Sequence, residues 1–164
     1  MDVQSSHIRT YIQKQRRNFE KILGQMVETP SVSSDPDHAS DMKKMAELAV
    51  NYLEQFGARA AIVKTKGYPC VAGEWPAGRK CPSVTFYNHL DVQPALEPEW
   101  RQSPFVFQKD GDRYCGRGTT DDKGPALTAM FAARFAQEAG IPLNIEVLWV
   151  LDEEIGIPNF TEAL

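Results

Sequence analysis

The sequence predicts an α/β protein of three layers, αβα, in which helices cover a mixed, largely parallel sheet. Two helical patterns open the chain, short valine-rich and aromatic-rich segments follow, and a long alanine-rich stretch then precedes a continuous apolar run. A strand, a helix and a further strand in this order predict a parallel crossover connection. With 164 residues, 42% of them hydrophobic, the chain is long enough for one domain with a core.

Two amphipathic helices are predicted at the start of the chain. The first has apolar residues at helical spacing from Ile8 to Met26, and the second from Met42 to Phe56. Gly57 is well placed to end the second helix, because glycine is common just beyond helix C-termini. The turn-like stretch TPSVSSDPDHAS joins the two helices.

The middle of the chain predicts β-structure. Three strands are predicted from short, β-branched and aromatic segments: ARAAIVKT, YPCVAGEW and CPSVTFYNH. The stretch FVFQKDGDRYC places a DG turn between two apolar stretches and predicts a hairpin.

A helix and a strand are predicted in the last third of the chain. GPALTAMFAARFAQEAG predicts a helix buried along much of its length. NIEVLWVL shows no clear alternation, which predicts a central strand covered on both faces. The final NFTEAL predicts the start of another helix.

Charge and composition restrict the partners we expect. The net charge of −4 is spread along the chain, which argues against a nucleic acid or an anionic membrane as a partner. No apolar run approaches the roughly 20 residues of a membrane helix, and the polar start lacks the apolar core of a signal peptide. We therefore expect a cytoplasmic protein. Its three cysteines include no CxxC pair, so reduced thiols are expected rather than disulfides or a cysteine zinc site.

His89 and Asp91 stand at the predicted end of the strand in CPSVTFYNH. In an extended chain, side chains two residues apart project to the same side. Asp91 could then bind one imidazole nitrogen while the other nitrogen binds a metal ion. The alternative is a surface histidine with satisfied hydrogen bonds, which is the better interpretation if this motif stands alone.

Two adjacent carboxylates, Asp121 and Asp122, follow a glycine-rich turn in GRGTTDDKG. The simple interpretation is that Asp122 caps the next helix and Asp121 is solvated. That interpretation gives no role to the charge of Asp121, whereas a carboxylate that bridges two divalent cations would neutralise part of their charge. We therefore favour a metal site here.

Three acids, Asp152, Glu153 and Glu154, follow the most apolar predicted strand. Such a run is usually a solvated loop, yet open α/β sheets place ligand sites at the carboxyl ends of their strands. Paired glutamates can also divide two tasks, because one can bind metal while its neighbour takes a proton from water.

Four motifs in this order resemble one family. NHLDVQP, a Trp followed by PF, GRGTTDDKG and DEEIG together resemble the co-catalytic di-zinc metallopeptidases. That family includes carnosinase-type dipeptidases, glutamate carboxypeptidases, aminoacylases, and acetylornithine and succinyl-diaminopimelate deacylases. The motifs lie within residues 84–156, and Cys115 and Ile157 depart from the usual pattern, where a tyrosine and a serine are common.

The resemblance implies a role for each site residue. His89 would bind one zinc ion, Asp121 would bridge both, and Glu154 would bind the other. Asp91 would orient His89, and Glu153 would be the general base. The cofactor implied is Zn²⁺, two per complete site, with Co²⁺ or Mn²⁺ as alternatives. Asp122 would be structural, often following a cis peptide bond.

The function implied is zinc-dependent hydrolysis of amide or peptide bonds by a dipeptidase-like or carboxypeptidase-like enzyme, in which activated water attacks the carbonyl carbon. The alternatives are a deacylase of N-acyl amino acids and a non-catalytic assembly module. The expected substrate is a small peptide or an N-acyl amino acid, and the full-length protein is expected to be a homodimer.

The family also has a further acidic ligand, a lid or dimerisation domain and a distal histidine. We therefore expect residues 1–164 to be the N-terminal part of a catalytic domain, incomplete at the C-terminus and inactive alone.

Overall fold

The computed structural model describes residues 5–159 and residue 161. Within these residues the chain forms three α-helices, α1 (Ser5–Val27), α2 (Ala39–Gln55) and α3 (Lys123–Glu138). The six strands of the described residues are β1 (Arg59–Val63), β2 (Cys70–Trp75), β3 (Ser83–His89), β4 (Gln108–Asp110), β5 (Arg113–Cys115) and β6 (Asn144–Val150). Each of these elements was predicted from the sequence. The helix predicted in NFTEAL falls largely outside the described residues and stays a prediction.

The main sheet has four strands in the order β1-β2-β6-β3, and β4 pairs with β5 in a separate hairpin. β3 and β6 are parallel and in register from Ser83 with Asn144 to His89 with Val150. The β1–β2 and β2–β6 pairings are antiparallel. The prediction of a mixed sheet is confirmed, but "largely parallel" is too strong for the described strands. The short connection between β1 and β2 allows only an antiparallel pair, because a parallel pair needs a long crossover.

One face of the sheet carries the hydrophobic core. A Cβ atom on Gly73 of β2 would lie 3.0 Å from both Leu53 of α2 and Val147 of β6, so this helix packs directly on the sheet. The ring centroids of Phe19 in α1 and Phe131 in α3 are 5.4 Å apart. Residues from all three helices, β2 and β6 therefore belong to one continuous buried cluster.

The opposite face of the sheet is more exposed. Tyr87 of β3 is 43% exposed, and Glu146 of β6 is exposed and accepts a hydrogen bond from Thr85 Oγ1 at 3.0 Å. The described residues thus form the sheet and one helical layer. The expectation that β6 is covered on both faces is wrong for these residues, because its continuous apolar run includes Leu148, which is only half-buried.

Two further expectations can be compared with the structure. Cys70, Cys81 and Cys115 are free thiols, as predicted. Among the described residues, none of the helices combines the length and apolar character needed to cross a bilayer.

Candidate metal centre

His89 ends β3 and is only 7% exposed. Its Nδ1 lies 3.1 Å from the main-chain oxygen of Asp91 and 3.4 Å from Oδ1 of that residue. Its Nε2 lies 2.9 Å from Asp121 Oδ1 and 3.9 Å from Glu153 Oε2. One ring nitrogen is therefore held by Asp91, and the other faces the acids of the two neighbouring motifs.

The surroundings of His89 favour a positive charge. Burial alone would lower the pKa of the imidazole, but hydrogen bonds to Asp91 and Asp121 outweigh it and raise the pKa from 6.5 to about 9. Both ring nitrogens face acceptor oxygens, so a ring that donates to both must carry two protons. A pocket of oxygens that holds a proton in this way is also suited to a metal cation.

Asp91 connects the end of β3 to the turn after β6. It is fully buried, and its Oδ2 accepts hydrogen bonds from Ser33 Oγ at 2.6 Å and from the Glu154 N–H at 3.0 Å. Its Oδ1 accepts from the Glu153 N–H at 3.2 Å. Burial opposes ionisation, yet the hydrogen bonds from His89, Ser33 and Glu154 lower the pKa of Asp91. Asp91 therefore fixes the main chain of both glutamates as well as the imidazole.

Glu153 and Glu154 belong to a short 3₁₀ turn, Glu153–Ile155, directly after β6. One ligand atom from each of His89, Glu153 and Glu154 lies within 4.8 Å of the others. Glu154 Oε2 also accepts a hydrogen bond from Gln93 Nε2 at 2.7 Å. An imidazole nitrogen with carboxylate oxygens suits Zn²⁺ and similar divalent ions. Both glutamates belong to the group, so their positions alone do not divide the roles of ligand and base.

The third acid of this run has different surroundings. Asp152 is buried and accepts a hydrogen bond from the Asn159 side chain, and burial raises the pKa of its carboxyl group. Burial, with the nearby Asp152 charge, also raises the pKa of the Cys70 thiol to about 11. Cys70 is thus an inert thiol rather than a nucleophile.

The glycine-rich turn places Asp121 beside His89. Gly118 adopts φ 91°, a conformation that favours glycine, and the Asp121–Asp122 peptide bond is cis, as the family resemblance implied. The Asp121 side chain is 75% exposed and reaches the group through its contact with His89 Nε2.

Asp122 differs from its simplest interpretation. It occupies the N-cap position of α3, but its side chain makes no capping hydrogen bond. Its Oδ2 instead accepts from Asn88 Nδ2 at 2.8 Å and from the His89 N–H at 3.2 Å. The simple interpretation, in which the Asp122 side chain caps α3, is therefore wrong, because this carboxylate anchors the end of β3 instead.

Four residues that the sequence did not single out support the site: Ser33, Asn88, Gln93 and Lys123. Gln93 lies two residues after Asp91, as Asp91 does after His89, so the spacing of side chains along an extended chain could have indicated it. Lys123 is fully buried, which lowers its pKa to about 7, and its Nζ donates to the main-chain oxygens of Met26 and Thr29, each at 2.9 Å. No local signal indicates Ser33, because it lies 58 residues from Asp91 in the chain.

Trp100 and Phe105 each contact a positively charged or imidazole side chain. The Arg117 guanidinium lies 5.2 Å from the Trp100 ring centroid, and Phe105 is 6.4 Å from the His38 ring.

Comparison with known proteins gives this site a family. Residues 85–164, which contain all five predicted site residues, match the family described as Peptidase family M20/M25/M40. The Cys-Gly metallodipeptidase dug1 of Schizosaccharomyces pombe is 33% identical over 168 residues, covering 93% of this chain and 35% of that protein. The chain carries an M20-family peptidase domain. The human Beta-Ala-His dipeptidase is 32% identical, with 89% of this M20 chain and 32% of that protein covered.

Solved M20 structures share the fold. Human carnosine dipeptidase 1 superposes with a TM-score of 0.86 and 28% identity, covering 94% of this chain and 36% of that structure. The dipeptidase Dug1p of Saccharomyces cerevisiae gives a TM-score of 0.88 and 26% identity, covering 96% and 36%. These matches confirm the predicted family and its α/β fold. The M20 chain spans about a third of the length of the curated relatives it matches.

Proposed function

We propose that this M20 domain contributes to a zinc-dependent hydrolase of peptide and other amide bonds. The observation that carries the proposal is the convergence of Asp121, Glu153 and Glu154 on the buried imidazole of His89. The dipeptidase names of its relatives support the reaction class.

The proposed ligands of the two metal ions are His89, Asp121 and Glu154. Asp121 would bridge the ions, because two cations close together need an anionic oxygen between them. Zn²⁺ suits the nitrogen and oxygen donors, and Co²⁺ or Mn²⁺ are alternatives. When bound, the metal supplies Lewis acidity, which lowers the pKa of water and polarises the scissile carbonyl.

Glu153 is the proposed general base. Its side chain is 39% exposed, so it can reach a water molecule and a substrate in the same space. Glu153 would take a proton from the attacking water and pass it to the leaving amine nitrogen as the C–N bond breaks. Asp91 would hold its main chain and keep the His89 ring oriented throughout.

The proposed substrates are small peptides. The names of two relatives suggest Cys-Gly and β-Ala-His as the first dipeptides to test. A solved M20 metallo-carboxypeptidase of Sulfolobus solfataricus, 30% identical, makes carboxypeptidase-like cleavage a related possibility. A succinyl-diaminopimelate desuccinylase of Orientia tsutsugamushi, 30% identical over 121 residues, favours N-acyl amino acids as the second candidate class.

The chain alone is expected to turn over substrate negligibly. Zinc takes about four ligands, and three proposed side chains shared between two ions leave both underfilled. We therefore expect weak or sub-stoichiometric zinc binding by residues 1–164, and hydrolysis only in the full-length protein.

The paired glutamates provide the test of this proposal. Glu153→Gln in the full-length protein should lower kcat by about 10²–10⁴-fold, the typical contribution of a general base, while zinc content is retained. Glu154→Gln is the matched control, because it should lower the zinc content itself. Zinc would be measured by elemental analysis, and hydrolysis with dipeptides and N-succinyl amino acids in parallel.

The proposal fails if the full-length protein binds no zinc or if Glu153→Gln hydrolyses amides normally. Robust hydrolysis by residues 1–164 alone would instead refute the expectation that three ligands are too few. Faster turnover of N-succinyl amino acids than of dipeptides would favour the deacylase.

A further inference from the structure

We propose that Ser33 is a positioning residue of this site, acting through Asp91. The inference rests on the proposed metal centre but concerns a residue in the loop after α1, far from the four motifs in sequence. Ser33 Oγ donates to Asp91 Oδ2 at 2.6 Å, and both residues are buried. A short hydrogen bond to a buried carboxylate is among the stronger hydrogen bonds in proteins.

The loop of residues 29–33 lies against the chain just beyond β3. The Val92 N–H donates to the Ser31 main-chain oxygen at 2.9 Å, and Val32 and Val92 form an isolated parallel bridge. The Ser31 side chain donates to the main-chain oxygen of Leu90 at 2.6 Å. The loop thus contacts both sequence neighbours of Asp91, Leu90 and Val92. Of these contacts, only the one from Ser33 reaches the Asp91 carboxylate.

The carboxylate of Asp91 has no spare acceptor capacity. Its Oδ1 faces His89 Nδ1 and the Glu153 N–H, and its Oδ2 faces Ser33 Oγ and the Glu154 N–H. A carboxylate has about four lone-pair sites, so each donor occupies one of them. Loss of the hydroxyl leaves Oδ2 with a single donor, the Glu154 N–H, so the carboxylate is held less firmly. Weaker anchoring of Asp91 would loosen the imidazole and the main chain of both glutamates together.

The same loop is held from its other end by Lys123. Its buried ammonium donates to the main-chain oxygens of Met26 and Thr29, each at 2.9 Å. Lys123 follows the Asp121–Asp122 pair directly in the sequence. Residues 29–33 therefore connect the turn that carries Asp121 with the carboxylate that orients His89, which explains how one loop can serve both halves of the site.

The experiment compares Ser33→Ala with Ser31→Ala in the chain of residues 1–164. Both substitutions remove a buried hydroxyl donor from the same loop, but only Ser33 contacts the Asp91 carboxylate. Ser33→Thr keeps the hydroxyl and serves as the rescue variant. Two properties are measured: hydrogen exchange of the Glu153 and Glu154 amides in the metal-free chain, relative to the amides of β6, and the affinity for Zn²⁺ by chelator competition.

Ser33→Ala should weaken Zn²⁺ binding by about tenfold, the lower end for loss of a supporting hydrogen bond. It should also speed exchange of the Glu153 and Glu154 amides. Ser31→Ala should leave the amide exchange rates and the Zn²⁺ affinity within about twofold of the wild-type values. Ser33→Thr should resemble the wild type. Equal effects of Ser31→Ala and Ser33→Ala, or no effect of Ser33→Ala, would overturn the proposal.

The test still decides the role of Ser33 if the wild-type chain binds no Zn²⁺ or if Ser33→Ala does not fold. If the wild-type chain binds no Zn²⁺, the proposed metal function fails for this chain, and amide exchange alone decides whether Ser33 positions the two glutamates. If Ser33→Ala does not fold, Ser33→Cys fills similar space with a weaker donor and should show the same faster exchange.

Discussion

The surroundings of His89 favour a proton in the position where the proposed metal would bind. Its folded-state pKa of about 9 lies above the ordinary 6.5, so the folded chain binds this proton more tightly than the unfolded chain. The resulting stability is fully present below about pH 6.5 and is lost as the pH rises through about 9. Urea unfolding between pH 6 and 10, with a chelator present, should show this loss in the wild type relative to His89→Gln.

The affinity for Zn²⁺ should change with pH in the direction opposite to the stability of the metal-free chain. A metal ion at Nε2 must displace the proton, so the apparent Zn²⁺ affinity should rise between about pH 6.5 and pH 9. Chelator competition at several pH values measures it. A pH-independent affinity over this range would show that the imidazole is not the group that exchanges a proton for the metal. Identical pH profiles of stability for the wild type and His89→Gln would show that folding does not raise the His89 pKa.

At the scale of elements, the glycine-rich turn needs glycine where it meets α3. A Cβ atom on Gly124 would lie 2.1 Å from the main-chain oxygen of Thr119, well inside contact distance. Gly124→Ala should therefore displace the turn that carries Asp121, with a loss of about 2–3 kcal/mol in the free energy of unfolding and weaker Zn²⁺ binding. Urea unfolding and chelator competition measure the two effects.

Gly111→Ala in the β4–β5 turn is the control for Gly124→Ala. Gly111 adopts φ 57°, but an added Cβ atom would meet nothing within 4 Å. This variant should lose stability through backbone strain while its Zn²⁺ affinity stays unchanged. If Gly124→Ala binds Zn²⁺ as tightly as Gly111→Ala does, the shape of the turn does not determine the position of Asp121.

The helices, strands and acidic motifs were predictable because each has a local pattern in the sequence. The neighbours of each strand were not, and the partial exposure of Leu148 depends on what covers the second face of the sheet rather than on the apolar run itself. Asp122 has the local pattern of a helix cap, yet its partner Asn88 lies 34 residues away. Ser33 contacts Asp91 across 58 residues of sequence, so only the folded chain identifies it.

At the scale of the whole molecule, the site depends on the shared core. The predicted site residues lie at or just beyond the end of β3, just after β6, or just before α3. One buried cluster includes residues of β6, α3 and the other two helices. Displacement of any of these elements would change the distances around His89. Dimerisation of the full-length protein stays a prediction.

One core residue tests whether this cluster folds as a unit. Leu53 of α2 is fully buried and packs against Gly73 of β2, so Leu53→Ala should leave a cavity and cost about 2–5 kcal/mol of unfolding free energy. Ile12→Ala is the control, because Ile12 is 58% exposed and should lose little. Urea unfolding would be followed by far-UV circular dichroism and by fluorescence of the buried Trp75 and Trp149.

Both probes should shift to lower urea by the same amount in Leu53→Ala, because the helices and the sheet share their packing. A fluorescence transition that moves while the helical signal stays in place would mean that the sheet unfolds separately from the helices. The centre around His89 would then depend on the β3–β6 pair and its immediate loops rather than on the whole core. Zn²⁺ binding by Leu53→Ala at low urea would distinguish these cases, since a locally held site would keep its affinity.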